Sequence, residues 1–91
     1  MNKTAIMYIL RSLKNDTFYI GSTNDIDRRI IQHNTGKSIY TSEVMPFEIV
    51  FKQSFPTLKE ARKAEYWLKR QKDKNLINKL IIEGKINKSF V

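Results

Sequence analysis

Apolar and polar positions alternate in two short blocks near the start of the chain. In the first, residues 5–12, Ile6, Tyr8 and Leu10 fall on one face and Ala5, Met7 and Ile9 on the other. Both faces are apolar, so this strand is expected at the centre of a sheet covered on both sides. A polar Lys14-Asn15-Asp16 break separates it from a second block, residues 17–22. The pair reads as a β-hairpin, although the turn lacks an Asn-Gly or Asp-Gly signal. The second arm ends at Gly21, where the missing side chain permits a sharp turn or the close approach of another group.

The apolar period then changes from two to about 3.6. Ile26 and Ile30 share a helical face, His33 falls near their centre line, and Arg29 flanks it, while Arg28 and Gln32 can face solvent. Asn24 is the expected N-cap, with Asp25 and Asp27 in the first turn and Gly36 as the stop. Residues 37–45 form a polar loop containing Tyr40 and Thr41. Pro46 introduces a third strand, residues 47–54, with Phe47, Ile49 and Phe51 on one face and Val50 on the other. Thr57 and Glu60 form a capping box, so a second helix starts there, with Leu58, Ala61, Ala64 and Leu68 as its apolar stripe. Leu76, Ile77, Leu80, Ile81 and Ile82 mark a short third helix ending near Gly84, followed by a loose tail. These elements predict an α/β (α+β) fold: a small three-stranded antiparallel sheet with helices packed on it. The chain is expected to form one domain over residues 1–91, with its core at about 5–82.

Composition narrows the chemistry. At 91 residues the chain is near the lower end of what buries a self-sufficient core. It has no cysteine, which excludes disulfides, thiolate zinc sites and a thiol nucleophile. There is no signal-peptide pattern and no apolar run of about 20 residues, so a cytoplasmic protein without a membrane partner is expected. The formal charge of +8 points to a polyanionic partner, most commonly nucleic acid. The bland alternative is that a lysine-, isoleucine- and asparagine-rich composition reflects codon bias.

Glu65 is the least conforming residue, because the helical count places it inside the apolar stripe between Ala61 and Leu68. A carboxylate there costs several kcal/mol of desolvation unless it is paired or bound to metal. Three readings are open: a pair with a lysine or arginine, a position at the wet edge of the stripe, or a metal ligand. Tyrosines on strands and a lone histidine are, one by one, more often packing residues than catalysts.

Taken together, the motifs resemble the GIY-YIG nuclease family, particularly its small single-domain bacterial members. Tyr19-Ile20-Gly21 reproduces the second half of the family's name. Ile6-Met7-Tyr8 keeps the tyrosine of the first half, with neither glycine nor isoleucine in its usual place, and continues as Ile9-Leu10-Arg11-Ser12. The run Gly21-Ser22-Thr23-Asn24-Asp25-Ile26-Asp27-Arg28-Arg29, with His33 four residues on, resembles the family's arginine-bearing helix. Glu60-Ala61-Arg62-Lys63-Ala64-Glu65 resembles its glutamate-bearing helix, so the likeness covers roughly residues 5–72.

The resemblance implies a metal-dependent endonuclease that hydrolyses DNA phosphodiester bonds by attack of an activated water. Glu65 would be the single carboxylate for a divalent metal, Mg²⁺ or alternatively Mn²⁺, a hard cation that keeps much of its water shell. Arg29 would stabilise charge on the phosphate. Tyr8 and Tyr19 would position and deprotonate the water; a phenol of ordinary pKa, about 10, is a poor base at pH 7 and needs a nearby positive charge. His33 would orient the phosphate or relay a proton. These catalytic residues would converge on one sheet face. Arg11, Lys37, Lys69, Arg70 and Lys72 are the candidate nucleic-acid contacts. No sequence-reading module accompanies them, so branched or damaged DNA, or a protein partner, would direct the enzyme, as in repair or recombination. The alternative is a non-catalytic nucleic-acid-binding module that keeps the nuclease fold. A weaker one is RNA binding through strand aromatics such as Phe18 or Phe51.

Overall fold

The computed structural model describes residues 4–34 and 46–90. The element order is β1 (Ala5–Ser12), β2 (Phe18–Thr23), α1 (Ile26–Asn34), β3 (Phe47–Phe55), α2 (Leu58–Gln71) and α3 (Lys74–Glu83). The expected helix stop at Gly36 and the loop residues Lys37, Tyr40 and Thr41 lie outside the described residues.

The sheet is antiparallel in the order β2-β1-β3, so the strand that is apolar on both faces is indeed central. One face carries Met7, Ile9 and Phe51, packed with Ala61, Ala64 and Leu68 of α2, Leu80 of α3, and residues beyond it. The other carries Tyr8, Leu10 and Phe47, packed with Ile26 and Ile30 of α1. Met7, Ile9 and Leu10 are all fully buried. Each such side chain contributes about 1.5–3 kcal/mol of transfer free energy relative to exposure.

The hairpin turn is held by Ser12 rather than by a glycine pair. The Ser12 hydroxyl accepts from the amides of Lys14 and Asn15 at 3.1 and 3.2 Å. Its amide donates to the Thr17 carbonyl at 2.9 Å. Asp16 takes φ 60°, a left-handed conformation that aspartate tolerates.

Three local expectations change. Helix α1 is capped by Asp25, one residue later than Asn24: its Oδ1 accepts from the Arg28 amide at 3.3 Å, and the Thr23 hydroxyl accepts from the Asp25 amide at 3.0 Å. Phe47 and Phe51 do not share a face. Ile9 pairs with Phe51 and Leu10 with Ile49, so Val50 is an extra residue that inverts the alternation along β3. Gln32, expected to face solvent, accepts from Arg29 Nη1 at 3.1 Å at the exposed surface of α1. The tail after Gly84 is docked rather than loose: Ile86 and Phe90 are buried. Gln53 brackets Ile86, its Oε1 accepting from the Ile86 amide at 2.8 Å and its Nε2 donating to the Ile86 carbonyl at 3.4 Å.

One helix start follows its sequence signal: the Thr57 hydroxyl accepts from the Glu60 amide at 3.2 Å. Asp73, not singled out from sequence, caps α3. Gly84, at φ 78°, ends α3 by donating its amide to the Leu80 carbonyl at 2.7 Å.

Candidate active site

Strand register places Tyr8 directly opposite Gly21 and Leu10 opposite Tyr19. Tyr8 and Tyr19 therefore occupy the same face of neighbouring strands, offset by one pair. The Tyr8 ring lies across Gly21: a Cβ built on that glycine would be 2.6 Å from Tyr8 Cζ, far inside contact distance. Glycine is thus required at this position for space. The open path lets the phenol cross the edge strand and reach α1.

There the Tyr8 hydroxyl meets both polar residues of the helix. Arg29 Nε donates to it at 3.3 Å, and His33 Nε2 lies 3.4 Å from it. With Arg29 donating to the phenol oxygen, the Tyr8 hydroxyl is free to donate to His33 Nε2 in the neutral tautomer that carries its proton on Nδ1. Burial, and secondarily the charge of Arg29, hold the His33 pKa below the usual histidine range. The imidazole is therefore neutral at pH 7 and able to take a proton.

Aromatic packing fixes that imidazole. Its ring contacts Tyr8 and Phe47 edge-on, with centroids 6.3 and 5.9 Å apart, and Tyr19 packs on Phe47 at 5.1 Å. Asn34 clamps the end of α1 to the start of β3, Oδ1 accepting from the Phe47 amide at 2.6 Å and Nδ2 donating to the Phe47 carbonyl at 3.2 Å. Tyr19 joins the cluster through Phe47.

Glu65 approaches from the other side of β2. Its Oε1 accepts from the Ser22 hydroxyl at 2.5 Å and its Oε2 from Lys69 Nζ at 2.6 Å. The carboxylate side chain is 21% exposed, at the edge of the stripe and paired, which combines two of the readings open from sequence. Ser22 pairs with Met7 and so projects to the α2 face, opposite to Tyr8. The five residues do not share one face. They straddle the edge strand, Tyr8 crossing it at Gly21 and Glu65 joining it one residue later.

Among the described residues, no group of three or more His, Cys, Asp and Glu gathers to hold a metal. The donors that Glu65 and Ser22 offer are all oxygens, and the ammonium on Glu65 shows that the carboxylate accepts a cation there. Such a set fits a hard divalent ion that keeps most of its waters.

Of the candidate nucleic-acid contacts, Lys69, Arg70 and Lys72 gather at the C-terminal end of α2, and Arg11 lies apart on β1. Arg11 forms an ion pair with Glu48 across β1 and β3. Lys69 is engaged by Glu65, Arg70 stacks over the Tyr66 ring at 5.5 Å, and Lys72 closes α2 in a left-handed conformation. Lys37 lies outside the described residues. Ser22 and Asn34 were not singled out from sequence. Strand alternation could have found Ser22, two residues after Ile20 on the face toward α2, whereas nothing local marks Asn34.

Comparison with known proteins shows the family. A family model described as the GIY-YIG catalytic domain matches residues 4–79. The chain belongs to the GIY-YIG family. It is 41% identical over 75 residues to the UPF0213 protein YazA of Bacillus subtilis, covering 81% of this chain and 74% of that one. It is 40% identical over 73 residues to a UPF0213 protein of Streptococcus pneumoniae serotype 4, covering 79% and 73%. The solution NMR structure of the UPF0213 protein BH0048 from Bacillus halodurans superposes with a TM-score of 0.55 at 34% identity, over 89% of this chain and 86% of that one. The GIY-YIG domain is a nuclease-family domain, and its fold here is the three-stranded antiparallel sheet with three helices. No helix among the described residues is long and apolar enough to cross a membrane.

Proposed function

We propose that this GIY-YIG protein is a metal-dependent endonuclease that hydrolyses DNA phosphodiester bonds in the cytoplasm, directed by DNA structure or a protein partner. The observation that carries this reading is the hydrogen-bonded Tyr8, Arg29 and His33 cluster, assembled across Gly21 one residue from the strand position that holds Glu65. A buried structural phenol needs one hydrogen-bond partner, and Tyr8 has a guanidinium and an imidazole on the same oxygen. A general base uses both.

The Tyr8 proton passes to His33 Nε2, and the resulting phenolate is stabilised by Arg29. That oxygen then takes a proton from the attacking water, the hydroxide adds to phosphorus as the departing oxygen leaves, and the proton held by His33 passes through solvent to the departing oxygen. Arg29 has five N–H donors and gives one each to Tyr8 and Gln32, so donors remain for the phosphate. Tyr19 holds the ring that packs His33. Glu65, with Ser22 beside it, would hold the divalent ion, Mg²⁺ or Mn²⁺, which when bound neutralises phosphate charge.

Nicking of supercoiled plasmid and cleavage of a branched duplex with Mg²⁺ or Mn²⁺ test this. The parent should cleave, and EDTA or Glu65→Ala should abolish cleavage. Salt-sensitive DNA binding unchanged in Glu65→Ala, with no cleavage by the parent, would instead point to the binding module or to an enzyme that requires its partner. The binding-module reading is favoured by Lys69, which already neutralises the carboxylate.

A further inference from the structure

We propose that a cleft between the outer side of β2 and the junction of α2 and α3 binds an unpaired nucleotide, so that the preferred substrate is a duplex carrying a single-stranded branch. The consequence for cleavage rests on the nuclease reading above; the binding itself does not.

The cleft has a volume of about 520 Å³, inside the usual range for small-ligand sites, roughly 300–1,000 Å³. Its apolar floor is made by Phe18, Ile20 and Ile77, and Lys69, Lys72 and Lys74 stand around it. The acidic residue in the lining is Asp73, whose carboxylate is occupied in capping α3 by accepting from the amides of Asn75 and Leu76 at 2.9 and 3.3 Å. An aromatic ring on an apolar floor ringed by ammonium groups suits a flat base attached to phosphates. A base inside a duplex cannot use it, because its faces are covered by stacked neighbours; an unpaired base can.

The position of the cleft relates it to the phosphodiester site. Tyr19 and Lys69 line it, and each also belongs to the site described above. From Phe18 to Ser22 the strand advances about 13 Å, so one nucleic-acid strand can engage both places. An acidic peptide shares the need for lysines but leaves the aromatic floor without a purpose. Single-stranded nucleic acid uses both.

The test compares a fluorescein-labelled duplex bearing an oligothymidylate flap with the same duplex lacking it, by fluorescence anisotropy. The flapped duplex should bind more tightly, and Phe18→Ala should weaken it about tenfold, the scale of one stacked base. Phe18 also packs on the core, so the exposed pair Lys72→Glu with Lys74→Glu provides an independent probe. It should abolish the preference and shrink the salt slope of oligothymidylate binding by about 1.4, two contacts at about 0.7 each. The charge-matched pair Lys59→Glu with Lys63→Glu, outside the cleft, should weaken both duplexes equally. Irradiation of a 5-iododeoxyuridine oligonucleotide should cross-link the peptide containing Phe18.

Equal binding of the two duplexes, a preference that survives Lys72→Glu with Lys74→Glu, or displacement of the flap by oligoglutamate more readily than by oligothymidylate would each overturn the proposal. If the preference is absent while Glu65-dependent cleavage persists, the cleft assignment falls and the nuclease stands. If the preference holds while no metal-dependent cleavage occurs, the reverse is true.

Discussion

At Gly21 the active site depends on the absence of an atom. Gly21→Ala would drive a methyl group into the Tyr8 ring, which is 3% exposed and has no room to retreat. The expected cost is about 1–3 kcal/mol of stability, read from urea denaturation, together with loss of cleavage because the phenol leaves Arg29 and His33. His33 supplies a pH signature. Its folded pKa lies below the usual value of about 6.5, so in that window the unfolded chain binds more protons. The stability this contributes is full above pH ~6.5 and is lost as pH falls toward the folded pKa. Cleavage should fall in the same window, because an imidazolium cannot accept the Tyr8 proton. Denaturation midpoints from about pH 5 to 8 should show a shallower dependence for His33→Gln than for the parent. The Lys69–Glu65 pair is different. With the lysine side chain 51% exposed, Lys69→Ala should change stability by at most about 1 kcal/mol.

Among the elements, α2 joins the core to the site, since Ala61, Ala64 and Leu68 bury one side while Glu65 reaches β2 from the next position around the helix. Leu68 is 1% exposed, and Leu68→Ala should cost about 2–5 kcal/mol in a urea titration. The docked tail makes a separate expectation. Phe90 packs edge-on against Phe55 and Trp67, with centroids 5.9 and 5.8 Å apart, and Lys88 sits over the Trp67 ring at 5.6 Å. Phe90→Ala should destabilise the domain by about 3 kcal/mol and change the emission of Trp67, the chain's single tryptophan. An unchanged midpoint and spectrum would show that the tail does not dock in solution.

The elements also show where sequence reasoning stops. The apolar pattern on both faces of β1 was enough to place it centrally, and Thr57 with Glu60 marked the start of α2. Periodicity placed Arg29 and His33 at the edge of the α1 stripe and Tyr8 on one face of β1, while their meeting was implied only by the family resemblance; the structure brings the three together at the Tyr8 hydroxyl. The inversion within β3 was not, because it depends on how Ile9 and Leu10 pair with a partner strand rather than on β3 itself. The same holds for the tail. Ile86 and Phe90 are too few apolar positions to define a period, and their burial depends on Gln53 and Trp67, far away in sequence. Placement of Glu65 across the edge strand from Tyr8 likewise required the sheet order, which fixes β2 at the edge.

For the whole molecule, a charge of +8 on 91 residues makes nucleic-acid affinity fall steeply with salt, whichever substrate is preferred. That charge attracts a polyanion and says nothing about cutting it. On the proposed reading, cutting would depend on two halves of the site, Tyr8 with Arg29 and His33 on one side of β2 and Glu65 on the other, acting on one phosphate. The most direct measurement is single-turnover cleavage of a branched duplex in Mg²⁺ by the parent, Tyr8→Phe, Glu65→Gln and the double variant, each verified as folded. Loss of general-base catalysis alone is worth about 10²–10⁴-fold, so Tyr8→Phe should fall at least about a hundredfold. Glu65→Gln should fall comparably, and the double variant little further, because both residues serve the same step. Parental rates for Tyr8→Phe, or losses that multiply in the double variant, would contradict a single site built across the edge strand.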